Sequence, residues 1–168
     1  MNAQVPLDVG VLSVEELVAH IVSRFHTGHR EQLPELIALA RRVEHVHAGH
    51  ARCPVGLTDE LEAHLQEMES HMLKEEQVLF PMLCRGMNGP AQGPISVMKF
   101  EHGHHFDAIE RIHNLTQDLI PPDDACNTWR ALYAGLGVYA RELTQHINLE
   151  NDVLFAQASQ AVKGAQNA

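Results

Sequence analysis

One ten-residue pattern occurs twice in this chain. HMLKEEQVLF at 71–80 and HINLENDVLF at 146–155 both read His, three residues, Glu, two residues, Val-Leu-Phe. In a helix, His and Glu four residues apart lie on one face, and the Leu and Phe beyond them continue it. The pattern therefore sets an imidazole and a carboxylate, twice, where an amphipathic helix carries its apolar stripe. Burying a lone carboxylate costs several kcal/mol. A fold that buries two must pair them or give them to a metal.

The rest of the chain supplies helices for such a fold. Three breaker clusters, AGHARCPVG (48–56), GMNGPAQGP (86–94) and IPPDDACN (120–127), are rich in Gly, Pro, Asp and Asn. The segments around them read with helical periodicity, at about 14–47, 57–85, 95–119 and 124–161. Ser13-Val14-Glu15-Glu16 is a capping-box pattern opening the first. Its stripe is Val22, His26, Leu33 and Ile37, which resumes in phase beyond Pro34, so the proline kinks the helix rather than ending it. The second follows Thr58-Asp59-Glu60 as N-cap and first turn, with Leu61, Leu65, Met68, Met72, Glu75, Leu79 and Met82 inward. The third starts at Pro94, with Ile95, Met98, His102, His105, Ile109 and Ile112 on one face. The fourth offers Leu132, Leu136, Tyr139, Leu143, His146, Glu150 and Val153. No alternating strand pattern of comparable length occurs. The expected fold is all-α, an antiparallel up-down-up-down four-helix bundle, with 1–168 as a single domain.

Composition narrows the partners. A net charge of −10 disfavours nucleic acid and anionic membrane. No run of eighteen apolar residues suggests a membrane span, and Met1–Val11 lacks the basic and apolar regions of a signal peptide. Cys53, Cys84 and Cys126 stand far apart with no CxxC spacing, which fits reduced thiols in a cytoplasmic protein. Histidine is the anomaly: thirteen, against twelve Lys and Arg together.

Heights along an antiparallel bundle bring some of these histidines together. His26, His71, His102 and His146 fall roughly 10–22 Å above one end, at 1.5 Å per residue. With Glu75 and Glu150 they supply four imidazoles and two carboxylates, a set suited to two metal ions bridged by the two glutamates. His29 rivals His26 as the first-helix ligand, and His105 is a rival or additional ligand on the third. His47 lies roughly 30 Å from His26 along a continuous helix, outside reach of the same ions. His20, His45, His50, His64, His104 and His113 read as solvated or as supports behind the ligands, and Glu67 and Glu101 as supports or surface charges. Ligand type alone admits Fe, Mn or Zn.

The runs RFHTGHREQLPEL, HMLKEEQVLFPM, GPISVMKFEH and HINLENDVLF resemble the hemerythrin-like (HHE cation-binding) family, over about residues 14–160. Within it they are most similar to the di-iron proteins of the repair-of-iron-centres group. The resemblance implies a four-helix bundle around a non-haem di-iron centre, with His26, His71, Glu75, His102, His146 and Glu150 at the iron-binding positions. His47, in VEHVH, matches a histidine of that group. Oxygen-carrying hemerythrins have a second His four residues after the third-helix His, where this chain has Phe106, and end with an Asp where it has HxxxE. Those departures disfavour a dedicated oxygen carrier. Longer members of the repair group carry an N-terminal cysteine-bearing domain, whereas about a dozen residues precede the first helix here.

The expected function is therefore that of a cytoplasmic di-iron protein of the nitric oxide or oxidative stress response, binding and supplying iron for repair of damaged iron–sulfur centres. The alternatives are an O2- or NO-binding sensor or storage module, and a di-iron enzyme reducing NO or peroxide. A bundle without metal would leave two buried glutamates unpaired. Glu75→Leu restores an apolar residue at a seam position. It is expected to lose the metal pair, keep its helical circular dichroism, and melt no lower than the apo wild-type chain.

Overall fold

A computed structural model describes residues 12–167. Helix α1 (14–46) runs through Val14–Ile21, a π-helical stretch Val22–His26, and Thr27–Val46. Helix α2 (57–84) runs through Leu57–Lys74, a π stretch Glu75–Leu79, and Phe80–Cys84. Helix α3 is Asn88–Thr116. Helix α4 (127–166) runs through Asn127–Leu149, a π stretch Glu150–Leu154, and Phe155–Gln166. Each helix packs against the next, and α4 closes the ring on α1. This is the expected antiparallel bundle, and the described residues contain no strand.

Local chemistry sets the ends. Ser13 caps α1 in a full capping box with Glu16, and the helix passes through Pro34 without a break. The N-terminus of α2 is held differently from the expected Thr58 cap. Its N-cap is Gly56, in the left-handed region at φ 91°, and the Glu44 carboxylate of α1 accepts from the backbone N–H groups of Gly56 (2.6 Å) and Thr58 (3.2 Å).

Four boundaries depart from expectation by three residues or more. Helix α3 begins at Asn88 rather than Pro94, because Pro90 sits in the first turn, where no N–H is needed, and Pro94 is absorbed into the interior. It ends at Thr116 rather than 119, where Gln117, Asp118 and Leu119 all take positive φ and the Asp118 N–H returns to the His113 carbonyl (2.8 Å). Helix α4 starts at Asn127 and continues to Gln166. The earlier start of α3 sets His102 fourteen residues into its helix, close to the twelve that place His26 in α1.

The core is in two parts. The larger is built on Leu33, Leu36, Leu61, Met68, Trp129, Leu132 and Leu136, and the smaller on Leu17, Ile21, Leu79, Phe80, Ile95, Leu154 and Phe155. On every helix the histidines and glutamates of the candidate site fall between the two. At the α1–α4 contact, a Cβ on Gly135 would stand 2.8 Å from Leu36 Cδ2, so any side chain there requires the buried Leu36 to move aside. Gly135→Leu is expected to overpack this seam and destabilise the chain by about 1–3 kcal/mol, read from the urea midpoint.

Candidate metal centre

The duplicated decapeptide has a duplicated local structure. In each copy the glutamate opens a π stretch, and the phenylalanine five residues on returns its N–H to that glutamate's carbonyl, Phe80 to Glu75 and Phe155 to Glu150. Proline is not the cause, because Phe80 is followed by Pro81 but Phe155 by Ala156. A third π stretch ends on His26. Single π turns recur where helices must re-aim functional side chains, and all three here adjoin the site.

The six expected residues converge. His26, Glu75 and Glu150 are 0% exposed, and His71, His102 and His146 are 1%. They form two four-residue groups sharing both carboxylates: His26 and His146 with Glu75 and Glu150, and His71 and His102 with the same pair, with donor atoms within 4.8 Å in each group. The Nε2 atoms face inward. That of His26 lies 3.2 Å from that of His146, and that of His102 lies 3.1 Å from that of His71. From the carboxylates, His26 Nε2 is 3.3 Å from Glu75 Oε2, His71 Nε2 3.4 Å from Glu75 Oε1, His102 Nε2 3.1 Å from Glu150 Oε2 and His146 Nε2 2.9 Å from Glu150 Oε1.

These groups fit metal ions better than one another. Both Glu75 oxygens and Glu150 Oε2 are buried without a hydrogen bond, a costly state for a carboxylate. Nitrogen donors bound at about 2.1 Å to one ion stand about 3.0–3.4 Å apart, the spacing of each Nε2 pair. Among protein groups alone, burial lowers His26, but the two nearby carboxylates, Glu150 and Glu75, outweigh it and raise the imidazole to about 10. Burial likewise opposes the ionised Glu150, which the charge of His146 and the closeness of His102 hold well below the ordinary range.

Each inward imidazole is anchored from behind. His26 Nδ1–H donates to Glu76 Oε1 (2.7 Å), which also accepts from Arg30 (2.8 Å). His71 Nδ1–H donates to Glu101 Oε2 (2.9 Å), beside Lys74, and His102 Nδ1–H donates to Asn151 Oδ1 (3.0 Å). His146 Nδ1 lies 3.2 Å from His29 Nε2, and His29 Nδ1 lies 3.4 Å from Gln32 Oε1. Such partners fix the tautomer and raise ligand basicity. Phe80 stacks on His26 at 5.7 Å and Phe155 on His102 at 6.1 Å.

The centre thus has an approximate twofold. Helices α1 and α2 relate to α3 and α4: His26 to His102, His71 to His146, Glu75 to Glu150, Glu76 to Asn151 and Phe80 to Phe155. The residue after each glutamate anchors the histidine of the preceding helix, and the phenylalanine of each copy covers it.

Other histidines take different places. His29, expected as a rival ligand, is fully buried but serves as the support behind His146. Burial, with the neighbouring His146, lowers its pKa to about 3, so it accepts as a neutral ring. His105 is buried at 2% with neither nitrogen partnered, and burial, with the charge of His71, lowers it to about 2. His64 is not solvated. It is 1% exposed, its Nε2 lies 2.7 Å from Tyr139 Oη, and burial lowers it to about 4. His47 lies at the far end of α1, 3.2 Å from Cys126 Sγ, with its ring tilted against Trp129 at 4.8 Å. Phe106 faces outward at 39% exposure. Sequence reasoning overlooked Glu76 and Asn151; their shared position, one after each glutamate of the repeat, was the available signal.

The sequence matches the hemerythrin HHE cation binding domain over residues 17–158. It is 50% identical over 145 residues to a protein of Musicola paradisiaca (strain Ech703) named iron-sulfur cluster repair protein YtfE, covering 86% of this chain and 65% of that one. Proteins of the same name from Dickeya chrysanthemi (strain Ech1591) and Yersinia pseudotuberculosis serotype IB (strain PB1/+) are 50% and 51% identical, over 87% and 84% of this chain and 66% and 64% of theirs. The chain therefore spans slightly less than two thirds of the length of these relatives.

The anchoring pattern separates ligand from support. His26→Ala is expected to remove or loosen one ion. Glu76→Ala should keep both at saturation but weaken metal affinity about 10–100-fold, and His47→Ala should leave both bound. Metal content after equilibrium dialysis against a chelator series reads all three.

Proposed function

Since the chain belongs to the hemerythrin HHE cation-binding family, we propose that His26, His71, Glu75, His102, His146 and Glu150 hold two iron ions bridged by both glutamates. We further propose that the protein supplies iron to damaged iron–sulfur proteins under nitric oxide or oxidative stress. The observation that carries the first step is the pair of four-residue groups sharing Glu75 and Glu150. For the second, the support is the name that the relatives carry.

The residues divide the work. The four inward Nε2 atoms and the two carboxylates bind, and each imidazole keeps its remaining N–H on an anchor. Phe25, Phe80 and Phe155 pack flat against His146, His26 and His102 and exclude water from those faces. Iron at this centre would supply affinity for NO, O2 or peroxide. With four protein residues at most around each ion, positions remain for an exogenous ligand or for an acceptor that takes iron as cargo. The described residues contain no helix long and apolar enough to cross a membrane.

The test is anaerobic iron loading followed by Mössbauer spectroscopy and incubation with an apo iron–sulfur protein. A magnetically coupled pair of irons, lost in Glu75→Gln, and cluster assembly on the acceptor at the expense of that pair are expected. Iron that never couples would overturn the bridged pair. A coupled pair that binds NO or O2 reversibly, or turns NO or peroxide over, without giving iron to the acceptor would overturn the repair reading in favour of a sensor or an enzyme.

A further inference from the structure

The approximate twofold breaks at one place, and the break leaves a second group of metal donors. In the first half, His29 is fully satisfied: its Nε2 meets His146, its Nδ1 meets Gln32, and Tyr139 packs edge-on at 5.2 Å. Gln32 passes the network on to Glu142. The twofold carries His29 to His105, Gln32 to Ala108, Tyr139 to His64 and Glu142 to Glu67. The His105 ring sits against His71 at 4.8 Å, as His29 sits against His146, but His71 Nδ1 is already taken by Glu101. Ala108 has no group to offer. Both nitrogens of His105 are left unpartnered at 2% exposure, and His64 Nδ1 is unpartnered at 1%.

Where the first half has a phenol, the second has another imidazole, and the group closes. Donor atoms of His64, Glu67 and His105 lie within 4.8 Å of one another. His64 and Glu67 are one turn apart on α2, and His105 faces them from α3. A cavity of about 310 Å³, lined in part by Glu67, Glu101, His104 and His105, opens onto two of the three, Glu67 and His105.

We propose that His64, Glu67 and His105 form a third metal site, mononuclear and distinct from the bridged pair, which takes a divalent first-row ion. Two imidazoles and one carboxylate with open positions are a donor set for non-haem iron(II) and its neighbours. Tyr139 Oη completes the arrangement by accepting from His64 Nε2–H, which leaves Nδ1 as the ligand atom. Glu67 is exposed, so this ion exchanges with solvent through the cavity. The proposal depends on the reading of the buried pair only for the number of ions above which it is counted.

The test is titration of the full chain, loaded anaerobically with its iron pair, with Co2+, reading bound cobalt and iron after gel filtration together with the cobalt d–d absorption. One cobalt beyond the pair is expected in the wild-type chain. Its affinity should fall about tenfold or more in Glu67→Gln and its binding should vanish in His105→Phe, with the iron content unchanged in both. Glu67→Gln alters only an exposed side chain, so its outcome stands even where His105→Phe fails to fold. Absence of the extra cobalt, or an extra cobalt indifferent to Glu67→Gln, would overturn the site. Should the pair fail to take up iron, the comparison is made on the unloaded chain. Wild type should then still bind one Co2+ more tightly than Glu67→Gln, which separates failure of the pair from failure of this site.

Discussion

Two carboxylates with no solvent exposure stand in the middle of a helical bundle, and the rest of the structure is arranged around them. An unpaired buried charge costs several kcal/mol, against a total stability of about 5–15 kcal/mol for a domain. Glu75 and Glu150 together could consume that margin. The fold answers with one imidazole from each of four helices, all aimed at the same layer. Because that layer is polar, it divides the hydrophobic core into a larger and a smaller cluster, which close over it from both sides.

The same constraint explains why the repeat is a decapeptide rather than a His–Glu pair. Each copy provides an imidazole and a carboxylate, then a side chain that anchors the histidine of the preceding helix, then Leu79 or Leu154 for the smaller cluster, then a ring that covers the anchored imidazole. Those last two tasks fall to residues on slightly different sides of the helix. The π turn that opens at each glutamate adds a residue to the turn and rotates the side chains beyond it, so that one short segment reaches its own layer, its neighbour and the core.

Much of this was legible in sequence, and the misses have physical causes. Seam positions occupied by Glu75 and Glu150 are visible to periodicity, because an α-helix keeps its phase from Leu61 to Glu75 and from Leu132 to Glu150. Beyond each glutamate the expected pattern slips by one residue: Leu79 is buried as expected, but Met82 and Val153, expected inward, are only half-buried, while Leu83 and Leu154 take their places in the core. Helical spacing at 100° per residue cannot foresee a π turn. His29, read as a rival ligand, stands where α4 packs on α1, so it meets the back of His146 rather than the centre of the site. The start of α3 was misjudged because two prolines, two and six residues beyond its true start, both resemble helix openings. Tyr139, read as core filling, also holds His64, and no pattern within one helix reports a partner on another.

Charge sets the last feature of the centre. Two divalent ions would bring four positive charges to a layer whose bridge contributes two negative ones. Two further carboxylates stand behind the donors, Glu76 behind His26 and Glu101 behind His71, and each is paired in turn with a cation, Arg30 and Lys74. Each four-residue group thus has one imidazole backed by a carboxylate and one backed by a neutral side chain, His29 for His146 and Asn151 for His102. The anchors differ in chemistry, yet the two halves match in charge, so neither ion is favoured by the charge behind its donors. The difference between the halves lies one layer further back. On one side stands the closed network of His29, Gln32 and Glu142, and on the other His105, His64 and Glu67, whose polar atoms have no such closure.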